Sequence, residues 1–96
     1  MRQLRFTPEA EATLASQVDY LVQRGAIVPA QALNDRVDAF LTTTLADYPR
    51  NGRFIAQRQL WETWIPRTNL IVWYRFTDSE LTAITFWHTS QDRGIA

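Results

Sequence analysis

Apolar positions change their spacing once along this chain, and the change divides it into a helical half and a strand-rich half. Residues 2–6, Arg-Gln-Leu-Arg-Phe, alternate in character and predict a short edge strand. Thr7-Pro8-Glu9 reads as a helix start, with Thr7 as N-cap and Pro8 at the first helical position, where no N–H is needed. Glu9 and Glu11 complement the positive helix end. Ala10 stands where a capping box would carry Glu or Gln. Leu14, Val18, Leu21 and Val22 recur at helical spacing, and Arg24-Gly25 supplies a basic last turn and a glycine stop. A second helix is predicted from about Pro29, with Leu33, Val37, Phe40, Leu41, Leu45 and Tyr48 as its apolar stripe. Thr42-Thr43-Thr44 lowers helix propensity near its end, and Pro49 and Asn51-Gly52 mark a turn. The short link between the helices predicts an antiparallel hairpin.

From Phe54 to His88 the chain is rich in β-branched and aromatic residues. One strand is predicted at about 56–65, ended by Pro66-Arg67-Thr68-Asn69. A second spans 70–76; Leu70, Val72 and Tyr74 alternate with Ile71 and Trp73, so it is apolar on both sides and central. Thr77-Asp78-Ser79 turns the chain into a third strand at about 80–88. Strict alternation sorts it into Leu81/Ala83/Thr85/Trp87 and Thr82/Ile84/Phe86/His88. The polar tail from Thr89 is expected to fray. The order strand, helix, helix, three strands predicts an α+β domain over residues 1–96, with the helix hairpin on one face of a small antiparallel sheet. The other sheet face, or the groove beside it, is left for a ligand.

Composition narrows the chemistry. The 46% apolar and 12% aromatic content suffices for a core without staples. Absent cysteine excludes disulfides and thiolate metal sites, and one histidine makes a metal enzyme a poor fit; no cofactor is expected. The three glycines are not clustered, so no phosphate loop is present. The N-terminus lacks the apolar stretch of a signal peptide and no apolar run has membrane-span length, so a cytoplasmic protein with no membrane partner is expected. Net charge is zero, against free-standing nucleic-acid binding. Residues 1–47 nevertheless sit near −2 and residues 48–96 near +2, and all ten basic residues are arginine. Arginine suits bidentate contacts to carboxylate or phosphate, although a codon bias toward Arg accounts for it equally well.

With this order of elements in hand, the chain resembles the RelE/ParE superfamily of toxins from type II toxin–antitoxin systems, closer to its ParE-like branch. Thr7-Pro8-Glu9-Ala10-Glu11 is similar to the family's opening. Leu45 to Arg53, with Pro49 and Gly52-Arg53, resembles the stretch after its second helix. Ile65 to Arg75 resembles its Val-Pro-Gly-Thr-Pro-Tyr segment, and Ile84 to Arg93 its last strand and His-Gly-x-Arg-Asp ending. The chain departs from the pattern at Trp61 and at Gln91, where the family carries Arg; Arg58 and Arg93 stand nearby. The resemblance implies a toxin silenced by a cognate antitoxin in a hetero-oligomer. Its target would be DNA gyrase if ParE-like, or the ribosome and its mRNA if RelE-like. An inactive member acting only as a binding partner is a third reading.

Each target asks for different residues. RNA cleavage through the 2′-hydroxyl needs a base, an acid and cations around the phosphorus. The candidates are Arg58, Glu62, Arg67, Arg75 and His88, with Glu62 pairing with His88 as base. A merely structural role stands beside this one: Glu62 pairing with Arg75 across strands, and His88 bonding Asp92. Gyrase inhibition needs surface rather than chemistry, and Trp and Arg are common interface anchors. The candidates are Trp61, Trp64, Arg67, Trp87 and Arg93. Trp61, Trp64, Trp73 and Trp87 all fall in the strand half, and at least one is expected to be exposed. The missing Lys favours gyrase as the target.

Overall fold

A computed structural model describes residues 2–24 and 30–94. Gly25 and Pro29, read above as a helix stop and a helix start, lie outside the described residues, as does the end of the tail. The elements are β1 (Gln3–Phe6), α1 (Pro8–Gln23), α2 (Ala30–Ala39), β2 (Arg53–Ile55), β3 (Leu60–Trp64), β4 (Leu70–Phe76) and β5 (Glu80–His88). The sheet order is β1-β5-β4-β3-β2, with β1 parallel to β5 and all other neighbours antiparallel. This is the α+β arrangement expected, with β4 central. The sheet is mixed rather than purely antiparallel, because the chain passes through both helices after β1 and returns so that β5 takes the place beside it.

Local chemistry explains most boundaries. The Thr7 hydroxyl oxygen accepts from Ala10 N at 3.0 Å, capping α1, and the hydroxyl donates to Ile84 O at 2.6 Å, tying the cap to β5. Leu14, Val18 and Leu21 pack toward the sheet, whereas Val22 faces solvent. Leu33 and Val37 of α2 are buried. Residues Phe40–Leu45 continue as a π-helical turn, with Ala46 N bonding Leu41 O. Thr42 and Thr43 hydroxyls donate back to Asp38 O and Ala39 O, competing with the backbone ladder and widening it. Leu41 and Leu45 stay buried, but Tyr48, expected on the same stripe, is exposed because the turn at Pro49 has already begun.

Two expectations about the strands are corrected. The strand placed at 56–65 is β3 alone; residues 56–59 are the hairpin turn from β2, with Gln59 in the left-handed region (φ 54°). No Gly, Asn or Asp marks that turn, so its usual signal is missing. In β5 the alternation breaks: Trp73 pairs with Thr85 but Tyr74 with Ala83. This β-bulge puts one extra residue into β5 and shifts the faces by one. Leu81, Ala83 and then Phe86 join the main core, while Ile84 and Trp87 pack on the opposite side.

The main core lies between helices and sheet and includes Leu33, Leu41, Val72, Tyr74, Leu81 and Phe86. A smaller cluster of Ile55, Leu60, Ile71 and Trp73, flanked by Ile84 and Trp87, lies on the face without helices. Among the described residues, no helix is long and apolar enough to cross a membrane.

Candidate functional site on the open sheet face

Side chains directly opposite in an antiparallel pair share a face. The registers Glu62↔Trp73 and Trp64↔Ile71↔Trp87 therefore set Glu62, Trp64, Trp73 and Trp87 on the open face. Trp73 and Trp87 pack with ring centroids 5.1 Å apart. Glu62 is the polar centre of this face. It is only 8% exposed, and its carboxylate accepts from Trp73 Nε1 (2.8 Å), Arg93 Nε (2.6 Å) and Arg53 Nη2 (3.1 Å). Burial pushes its carboxyl up, but the hydrogen bonds from Trp73 and Arg93, the Arg93 charge and the Arg53 contact outweigh this and hold its pKa below the ordinary value.

The rim is cationic. The Arg58 guanidinium sits 5.6 Å from the Trp73 ring centre. Arg75 donates from Nε to Gln59 O (2.9 Å) and from Nη2 to Arg58 O (3.2 Å), clamping the β2–β3 turn. The Glu62–Arg75 pair considered from sequence is not formed; Arg53, directly across the hairpin in register, takes that place. Sequence reasoning passed over Arg53 and the indole donor Trp73, because the hairpin register was hidden with its turn.

His88 and Arg67 lie elsewhere. His88 pairs with Leu70, a main-core residue, and so belongs to the helix side of the sheet. Its Nδ1 accepts from Ser90 N (3.1 Å) and lies 2.7 Å from Ser90 Oγ, so Ser90 rather than Asp92 is its partner. Arg67 is exposed at the β3–β4 turn with φ 61°, its carbonyl accepting from Arg36 Nη1 at 3.1 Å. Arg67 and His88 line a cleft of about 410 Å³ with Tyr20, Arg24, Arg36 and Asn69. Glu62 and His88 are thus on opposite faces and cannot act on one proton. A buried carboxylate with three donors and a lowered pKa is also a weak base. Among the described residues, no group of His, Asp or Glu gathers at metal-binding distance.

The tryptophans divide in the same way. Trp64 is 56% exposed, with Nε1 donating to Thr68 O at 2.7 Å. Trp61 packs on the helix side between Phe54 and Phe76. Trp87 is half-buried, and its Nε1 has no hydrogen-bond partner. What the open face offers is an aromatic floor, a locked acid and a rim of arginines, which suits holding a partner rather than transferring protons.

A family model for the ParE toxin of type II toxin–antitoxin systems, parDE, matches residues 4–93. A search of curated proteins finds no match. Among solved structures, a chain described as the chromosomal ParDE TA system from P. aeruginosa aligns with TM-score 0.64 and 21% identity. The alignment covers 92% of this chain and 96% of that one; at such identity the likeness shows the fold.

Proposed function

This chain belongs to the ParE toxin family of type II toxin–antitoxin systems, and on that premise we propose that it blocks growth by binding and inhibiting DNA gyrase until a cognate antitoxin neutralises it. The observation that carries this reading over RNA cleavage is the separation of the acid–base candidates. Glu62 is locked by Trp73, Arg93 and Arg53 on one sheet face, while His88 turns to the other. A nuclease needs such groups within hydrogen-bond reach of one phosphate and its 2′-hydroxyl; an inhibitor needs only surface. The gyrase-contacting surface is the open face, with Trp64 and Trp87 as anchors and Arg53, Arg58 and Arg75 as its cationic rim.

The test is a supercoiling assay with purified protein. Inhibition or trapped gyrase–DNA cleavage complexes, abolished by the co-expressed antitoxin, are expected. No effect on gyrase at excess protein, together with cleavage of ribosome-bound mRNA at codon boundaries, would replace this function with the endonuclease built on Arg58, Arg67, Arg75 and His88. Inactivity in both assays would leave only a binding partner for the antitoxin.

A further inference from the structure

After β5 the chain has a single distant side-chain anchor among the described residues. Thr89 N bonds Asn69 O beside the β3–β4 turn, and the bonds that follow are local: Gln91 N to His88 O, His88 N to the Gln91 side chain, and Gly94 N to Asp92 Oδ1. Arg93 is the exception. It reaches back across 31 positions to Glu62, with Nε 2.6 Å and Nη2 3.4 Å from the two carboxylate oxygens, and its side chain is 19% exposed. The Asp92–Gly94 bond turns the backbone on either side of Arg93. Gly94 sits at φ +68°, a conformation that favours glycine, and a Cβ there would stand 3.2 Å from Arg58 Nη2. The tail therefore lies against Arg58, which itself covers Trp73.

Losing this contact would not strand Glu62. If Arg93 leaves, Glu62 keeps Arg53 and the Trp73 indole, so the buried carboxylate is not stranded. The freed guanidinium passes into water. Opening then loses one ion pair rather than orphaning a charge, which costs less than leaving the buried carboxylate without a cation.

We propose that residues 90–94 form a releasable strap that closes the open face over Glu62 and Trp73, and that Arg93 leaves Glu62 before a partner seats on that face. The inference rests on the open face being the gyrase-contacting surface. It reassigns Arg93 from a partner contact to an intramolecular latch. Free toxin is then partly self-occluded, and removing the latch strengthens inhibition instead of weakening it.

Arg93→Ala and a chain ended after Ser90 test this against the full chain. In the free protein, broadening of the Trp73 indole amide resonance by a soluble nitroxide, with the resonance assigned through Trp73→Phe, should increase in both variants. In the supercoiling assay, the concentration for half-inhibition should fall by about two- to fivefold, because the competent, unlatched state no longer has to be populated against the closed one. Unchanged Trp73 broadening in both variants would overturn the strap. So would weaker inhibition by a folded Arg93→Ala protein, which would make Arg93 a contact residue. If the full chain fails to inhibit gyrase at all, the proposed target falls while the Trp73 measurement still decides whether the tail is a latch.

Discussion

Glu62 is the residue on which three separate parts of the chain converge. Its acidity among aromatic neighbours marks it as a candidate base, yet its surroundings make it a structural hub joining β2, β4 and the tail. Replacing it by Gln should lower unfolding stability by about 1–3 kcal/mol, less than for a fully buried pair because Arg53 is largely exposed; urea denaturation of both proteins measures this. The pH dependence has a definite sign. The folded pKa lies below the ordinary 4.5, so the carboxylate's stabilisation is fully present above about 4.5 and is lost as pH falls through the folded value. Glu62→Gln should show a shallower acid-side decline than the parent. Gly52 is the other critical position, and there space rather than backbone angle decides. A Cβ would overlap the Tyr74 hydroxyl and approach Glu62 O at 2.6 Å. That hydroxyl donates to Pro49 O, and burial, only partly offset by a bond from the Gly52 backbone, raises its pKa to about 12, so it remains a donor throughout the neutral range. Gly52→Ala should cost about 1–3 kcal/mol or more, read as a lower urea midpoint.

Among the elements, β5 carries the most consequence. Beyond Ala83 it runs past the end of β1, which would leave a bare strand edge. Helix α1 covers it instead: Thr13 Oγ1 accepts from Phe86 N at 2.9 Å, and Thr7 Oγ1 donates to Ile84 O. Thr13→Val keeps the shape but orphans the Phe86 amide, and should cost about 1–2 kcal/mol with faster hydrogen exchange at Phe86. Helix caps and strands of continuous apolar character were legible because their signals are local: Thr7-Pro8 starts α1, and the span 70–76 of β4 follows from its residues alone. The bulge near Ile84 was not legible, since it comes from how β5 meets β4 and α1 together. Neither was the turn at 56–59, where Gln59 is held in a conformation that its own type does not advertise.

For the whole molecule, the two sheet faces divide the candidate residues into separate sites. Trp64→Ala should weaken gyrase inhibition by about tenfold with an unchanged melting curve, the pattern of an exposed interface anchor. His88→Ala, on the helix side, should leave inhibition intact. Loss of inhibition by His88→Ala with Trp64→Ala silent would move the contact surface to the cleft beside Arg67.

The order of elements apart from the short strand β2, the α1 cap, the central place of β4 and the concentration of Trp and Arg in the second half all follow from neighbouring residues and their periodicity. Such features depend on interactions a few positions apart, which a linear reading retains. The parallel seat of β1, the shifted face of β5, the partners of Glu62 and the separation of His88 from it required the folded chain. Each depends on contacts between residues distant in sequence, where a one-residue change of register moves a side chain to the opposite face. The resemblance identified a toxin family from local stretches; which of its arginines and aromatics share a surface was decided by the sheet.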